Sequence, residues 1–400
     1  MRIFPFSSRD EIEKMMRDIG VDPYGIRIML PKAQTFLIRL NAINNICANI
    51  LKQEMLSLGA EAAITRGALT GKIKKTDILM IGSLAQFKLL SQKIKPQPFG
   101  LNKLSEELDE NIKNYVKDNF SLSLRGSSLN LNHKTQIMGI INLTFDSFSG
   151  DGLYNSNSGS CLNLALIKAK KMVSDGADII DLGGQSSRPG AKNISIKEEL
   201  ARILPVTKLL VKKINKPISI DTTRPRVAEA CLDSGAQIIN DVSGLRDKRM
   251  IRVAARYKAA VVIMHMLGVP LNMQKVIAYR SLIDEIALYL KNAIDSAQAG
   301  GIKPDKIIVD PGIGFGKKPE HNLEIIKRLA EFKSLGKPIL IGTSRKSFIG
   351  KILGADLHSR SIGTLATCVL AAQNGAKIIR VHDVQEASQC LKMVDAVKKC

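Results

Sequence analysis

Tryptophan is absent from this 400-residue chain, and aromatic residues make up only 4% of it. Platforms that stack nucleic-acid bases on aromatic rings are therefore poorly supplied, and no RNP-like or zinc-finger pattern occurs. The six cysteines, Cys47, Cys161, Cys231, Cys368, Cys390 and Cys400, form no CxxC pair. None stands near histidine at zinc spacing, so they read as scattered reduced thiols. No apolar run reaches the roughly 18–20 residues that span a bilayer. The opening stretch MRIFPFSSRDEIEKMM turns charged too early for a secretory leader. A cytoplasmic protein without a membrane is the expectation.

Acidic residues are few against the basic ones, 37 to 59, and the net charge is +22. The excess is spread. Residues 1–130 hold 19 basic and 13 acidic side chains, leaving +6 there and +16 for the rest. Lysines recur singly on helical faces such as 208–216 and 391–399. This is a basic surface suited to anionic small molecules, and nucleic acid is not the expected partner.

From about residue 136 a rhythm sets in. Short β-branched runs at 136–142, 177–183, 217–221, 236–241, 259–265, 306–310, 338–342 and 376–383 alternate with amphipathic stretches. The stretches include 160–175, 196–214, 224–234, 281–299, 320–334, 359–374 and 384–398. Eight βα units predict a (β/α)8 TIM barrel over residues 131–400. A doubly wound open sheet is the alternative, but even spacing favours closure. Residues 1–130 lack the rhythm and predict a small α/β domain, a split βαβ layer. Helices are expected at 10–20, 41–59, 84–94 and 102–119, and strands at 25–30, 35–40, 61–65 and 77–83. The Gly/Ser-rich stretch 123–134 reads as a linker. No catalytic motif stands in residues 1–130, and Arg66-Gly67 with Thr70-Gly71 reads as hairpin chemistry more than a phosphate loop.

In such a barrel the active site is built from the C-terminal ends of the strands. These ends hold Asn142, GGQSSRPG (183–190), Asp221, Asn240-Asp241, His265, Asp310, GTSRKS (342–347) and Arg380-Val381-His382-Asp383. One such residue could cap the next helix. Eight of eight polar ends argue for a functional rim. Asp221, Asn240 and Asp310 suit a flat nitrogen heterocycle with several N–H donors. Arg345, Lys346, Arg380 and His382, with Asn142, suit a phosphate or diphosphate bridged by Mg²⁺. Heterocycle at one end and leaving group at the other predict group transfer.

These blocks carry a family resemblance. MGIINLTFDSFS (138–149), DLGGQSSRPG (181–190), IDTTRPR (220–226), GAQIIND (235–241), MHMLGVPLNMQ (264–274), DPGIGFGK (310–317), GTSRKSFIG (342–350) and RVHD (380–383) resemble the signatures of the dihydropteroate synthases. The resemblance covers about 135–400 and leaves the N-terminal residues outside. It implies a transferase of folate biosynthesis that joins 6-hydroxymethyl-7,8-dihydropterin diphosphate to 4-aminobenzoate and releases pyrophosphate. It implies that Asp221, Asn240, Asp310 and Lys346 hydrogen-bond the pterin, within walls of Met264, Phe315 and Gly342. Asn142, Arg380 and His382 would hold the diphosphate, with Asn142 the ligand of Mg²⁺. Phe148, Arg188, Pro189, Lys346 and Ser347 would shape the aminobenzoate site, and Ser187 would serve both. Asp146 belongs to a first loop that closes over the site and excludes water. The implied catalytic set is Asn142, Asp146, Lys346, Arg380 and His382. The implied reaction ionises a C–O bond and needs no covalent nucleophile. The resemblance also implies a homodimer.

Four departures from the family pattern stand out. Phe145 replaces a usual proline, Gln185 a usual glutamate, Ser187 a usual threonine, and Thr223-Arg224 a usual Ser-Lys. Two rivals share the pterin pocket: a pterin-binding methyltransferase domain and a non-catalytic pterin-binding protein. The first would have no use for the diphosphate set or for Ser344-Arg345-Lys346-Ser347, and the second would be favoured by a missing Asn142, Arg380 or Lys346, all of which are present.

Overall fold

Strands buried on both faces carry no polar alternation and read as unbroken apolar runs. That is how the C-terminal strands are written. The computed structural model describes residues 4, 8–143, 158–185, 194–268, 273, 277–356 and 358–399. Along the chain, β1 is Thr35–Asn44, β2 Glu61–Ile64, β3 Lys75–Ser83, β4 Ser121–Leu124 and β5 Ser127–Asn130. The next are β6 Gln136–Asn142, β7 Ile179–Gly183, β8 Ile218–Asp221 and β9 Ile238–Asp241. The last are β10 Ala260–Met264, β11 Ile307–Asp310, β12 Ile339–Ile341 and β13 Ala376–Val381. Strands β6 to β13 close into a parallel barrel in which β13 pairs back onto β6. The expected (β/α)8 barrel is the fold. All eight expected strands form, some shortened by one or two residues.

Alternation along each strand sorts the side chains. Ile137, Ile141, Ile180, Leu182, Ile220, Ile239, Val261, Ile263, Val309, Ile341 and Ile379 point outward and pack with the surrounding helices. Met138, Ile179, Ile238, Ala260, Val262, Ile308, Leu340 and Ile378 form a separate cluster that fills the barrel. Phe120, Leu122, Leu124 and Leu131 belong to that interior cluster. They come from the antiparallel hairpin of β4 and β5 and its flanks. The hairpin closes the lower end of the barrel. Residues 123–134 are therefore no linker, and this is a correction. The Gly/Ser richness of the stretch belongs to the turn at Arg125-Gly126, where Gly126 has φ +79°. Its leucines keep a strand's period of two.

The chain divides into two units, Met1–Lys113 and Asn114–Cys400, so the division falls before the expected 130/131. In the first unit β3 lies between β1 and β2 and is antiparallel to both. The helix Asn45–Ser57 joins β1 to β2, giving the split βαβ arrangement. Leu51, Met55, Ile78, Met80, Phe87 and Leu90 make its core. One expected element is wrong. GIRIML (25–30) lies in the helix Pro23–Ala33, not in a strand. Asp22 caps that helix by accepting from the Tyr24 and Gly25 amides at 2.8 and 3.0 Å, and Pro23 fits its first position. The described cysteines are free, and all but Cys390 are buried.

Candidate active site

The apolar layer inside the barrel ends where the inward positions turn polar. Counting two residues up from it places Asp181, Asn240, Asp310 and Arg380 on the inside of β7, β9, β11 and β13. The same parity points Asn142 and Asp221 inward on β6 and β8, and the Gly342 position follows β12. These groups touch. The Arg380 Nε donates to Asp181 Oδ2 at 2.7 Å, and its Nη2 donates to Asp221 Oδ2 at 2.8 Å. Asn240 Nδ2 donates to the same Asp181 Oδ2 at 3.1 Å. Asp181 is 0% exposed, and its Oδ1 has no hydrogen-bond partner among the described residues.

Burial sets the electrostatics. It pushes Asp221 up to about 7, against the pull of the Arg380 guanidinium; Asp181 and Glu199 add to the rise. It pushes Asp310 up to about 6, opposed by the Gly312 amide, 2.7 Å from Asp310 Oδ1, and by Lys346 and Lys317. Burial works against the charge on Arg380, but Asp181 and Asp221 more than offset it and hold the guanidinium charged.

One side of the site is apolar. Val242, Met264, Met266, Met273 and Phe315 form one cluster, so the expected walls Met264 and Phe315 meet. Lys346 Nζ stands 4.2 Å from the centre of the Phe315 ring, a cation–π contact. Arg345, just before it, has φ +57° and pairs with Asp383 at 2.6 Å. A left-handed residue with a side chain beside a site is a conformation the surroundings must impose. Ser347 opens the short helix Ser347–Leu353. A side chain on Gly342 would meet Arg380, whose Cβ and carbonyl lie 3.7 Å from that Cβ position. His382 Nδ1 lies 2.9 Å from Ser344 Oγ, which also accepts from the His382 amide at 3.2 Å.

Gly183 leaves space beside two donor groups. A Cβ there would stand 3.4 Å from Asn142 Oδ1 and 4.0 Å from Asp221 Oδ2. Among the described residues no group of three His, Cys, Asp or Glu gathers to hold a metal. A cation held by one amide oxygen and completed by substrate phosphates fits that donor set, because Mg²⁺ usually keeps phosphate and water ligands.

The structure thus brings together Asp221, Asn240 and Arg380, and separately Met264, Phe315 and Lys346. Asp146, Phe148, Ser187, Arg188 and Pro189 lie outside the described residues. Two rim residues do other work. Asp241 faces outward and ties down its loop by accepting from Ser243 N, Ser243 Oγ and Leu245 N. His265 lies behind the pocket beside Lys317, 2.9 Å from Nδ1 to Nζ. Asp181 was missed by the reading of strand ends. The signal was present: a carboxylate inside the apolar run IIDLG, at inward parity with its neighbours.

Comparison with known proteins decides the family. A sequence model described as pterin binding enzyme matches residues 138–382. The dihydropteroate synthase of Synechocystis is 47% identical over 266 residues, 66% of this chain and 90% of that one. The chain belongs to the dihydropteroate synthases. A probable bifunctional folylpolyglutamate synthase/dihydropteroate synthase of Halobacterium salinarum is 34% identical over 399 residues. That match takes in 98% of this chain, N-terminal unit included, and the chain spans about half (46%) of that relative's length. The solved dihydropteroate synthase of Xanthomonas albilineans with 4-aminobenzoic acid superposes with a TM-score of 0.65 at 35% identity, over 70% of this chain and 99% of that one. As a member of this family the chain is a transferase of folate biosynthesis. It joins the dihydropterin diphosphate to 4-aminobenzoate and releases pyrophosphate.

Proposed function

We propose that this dihydropteroate synthase reaction runs on the side chains gathered around Arg380. The dihydropterin lies over Asp221, Asn240 and Asp310, whose oxygens accept from the ring N–H groups. Met264 and Phe315 cover its faces, Gly342 leaves it room, and Lys346 donates to it. Asn142, Arg380 and His382 hold the diphosphate. The observation that carries this reading is the bridge of Arg380 between Asp181 and Asp221, with Asn240 on the same carboxylate. A fixed cation next to buried acceptors supports a site that takes a heterocycle and its anionic leaving group.

The bond from the pterin methylene to oxygen breaks, and its electron pair leaves with pyrophosphate. The arylamine nitrogen then bonds to the methylene carbon and sheds a proton. Arg380 and His382 stabilise the charge that develops on the leaving group. Asn142 would hold a Mg²⁺ ion, which would supply further neutralisation of that charge. The family resemblance gives Asp146 a part in excluding water from the cation. Phe148, Arg188, Pro189 and Ser347 shape the arylamine site with Lys346, and Ser187 serves both ends. A homodimer in the cytoplasm completes the proposal. Family resemblance supports the dimer. No described helix is long and apolar enough to cross a membrane.

Replacing Arg380 by alanine tests the assignment. The expected outcome is a fall in kcat of about a hundredfold or more, because oxyanion-type stabilisation is worth that much per donor. Dihydropterin lacking the diphosphate should still bind. A variant of wild-type rate removes Arg380 from the site.

A further inference from the structure

Lys317 is a buried charge for which the reaction as described has no use. It is 3% exposed, at the end of the glycine-rich loop DPGIGFGK that follows β11. Its Nζ lies 2.9 Å from His265 Nδ1, 3.4 Å from the His265 carbonyl and 3.1 Å from the Phe315 carbonyl. Three acceptors meet the three N–H bonds of an ammonium. No ion pair joins Lys317 to a carboxylate among the described residues. Burying an ammonium on neutral acceptors is costly. Burial accordingly lowers its pKa to about 7, while the charge of Asp310 works the other way.

The loop explains where that cost goes. Gly312 and Gly316 have φ +75° and +63°. A Cβ on Gly312 would run into the His265 carbonyl, and one on Gly316 would stand 2.8 Å from the Leu267 carbonyl. The loop backbone is therefore laid directly on the segment that leaves β10. Phe315 sits between these two contacts, and its ring enters the cluster of Met264 and Met266 under Lys346. The Lys317 ammonium bonds one carbonyl from each of the two backbones. Tyr279 adds a second latch by donating to the Gly316 carbonyl at 2.9 Å. Asp310, tied to the Gly312 amide, is anchored to the same loop. The charge of Lys317 also works against the rise that burial gives the Asp310 pKa.

We propose that Lys317 is a positioning residue that fastens the loop after β11 onto the end of β10, and thereby sets the Phe315 wall and the Asp310 acceptor of the pterin pocket. The proposal rests on the reading of this pocket as the pterin site. It acts through Phe315 and Asp310, so its loss weakens the pterin end and spares the arylamine end.

The test uses the full chain with Lys317→Met, which keeps the stem and removes donors and charge. Steady-state kinetics give KM for the pterin diphosphate and for 4-aminobenzoate. Titration with 6-hydroxymethyl-7,8-dihydropterin reads the pocket without the diphosphate. We expect a folded protein, pterin KM and dihydropterin Kd raised about tenfold or more, and aminobenzoate KM within about twofold of wild type. If Lys317→Met does not fold, Lys317→Gln, which keeps an N–H donor and loses the charge, goes through the same measurements. Wild-type pterin affinity in a folded variant overturns the proposal. An equal rise in both KM values does so too, as does failure of both variants to fold, since the residue would then serve the fold alone. The wild-type arm keeps the two readings apart. If wild type itself does not bind dihydropterin, the pterin site is misassigned, whatever Lys317 does.

Discussion

Asp221 and Asp310 give the protein a pH dependence that can be worked out by sign. In the unfolded chain both ionise near 3.8; in the folded chain they do so at about 7 and about 6. Below about pH 4 both are protonated in either state. Between about 4 and 7 the folded chain holds more protons, so these two groups lower the unfolding free energy as pH rises, and their effect levels off above about 7. Ligand binding runs the other way. An ionised carboxylate is the better acceptor for ring N–H groups, so dihydropterin affinity should rise as pH climbs from 5 to 8. Calorimetric titration across that range reads it, and Asp221→Asn should remove the upper part of the rise. A flat profile in the wild type contradicts the assignment. At this scale much was legible, because a polar residue that ends an apolar run stands out. Asp181 and Lys317 were not singled out, since one lies inside its run and the other three glycines beyond. Parity finds the first: two residues above the apolar layer, every inward position but Ile140, Met264 and Gly342 is polar.

Strands and helices were legible to different degrees, for physical reasons. A parallel strand buried on both faces has a signal of its own, and β6 to β13 follow it. A short apolar run with β-branched residues does not separate strand from helix. GIRIML fell to that ambiguity, although Asp22-Pro23 already spelled a cap and a first turn. The hairpin of β4 and β5 was hidden by its serines. Its leucines make a test. Leu122 is 1% exposed within the interior cluster. Leu122→Ala should cost about 2–5 kcal/mol, as truncation of a buried leucine does. Denaturant unfolding reads the loss, and KM for both substrates should stay unchanged because the hairpin lies at the end of the barrel away from the strand C-termini. A variant as stable as wild type would mean that the hairpin does not close the barrel.

Each unit has its own core, residues 47–112 in the first, and in the second the helix-facing cluster of residues 137–394 together with the barrel interior that starts at Phe120. The Synechocystis relative matches this chain over 266 residues, which is 90% of its own length, so a barrel of this kind stands without the N-terminal unit. Removing residues 1–113 should therefore leave a folded, active protein. Removing 1–130 should not, because it also takes Phe120, Leu122 and Leu124 out of the barrel interior. Circular dichroism and pyrophosphate assay of the two truncations distinguish them, and equal behaviour would contradict the placing of the hairpin. The sequence held the barrel and its rim in its periodicity, while the unit boundary depended on which core Phe120 joins, a tertiary fact. The account as a whole stands on one assay. Purified protein receives the dihydropterin diphosphate, Mg²⁺ and 4-aminobenzoate, each omitted in turn, and pyrophosphate is measured. Release that requires the arylamine is the expected result. Dihydropterin binding without arylamine-dependent release would contradict the transferase assignment and leave a pterin pocket in other use.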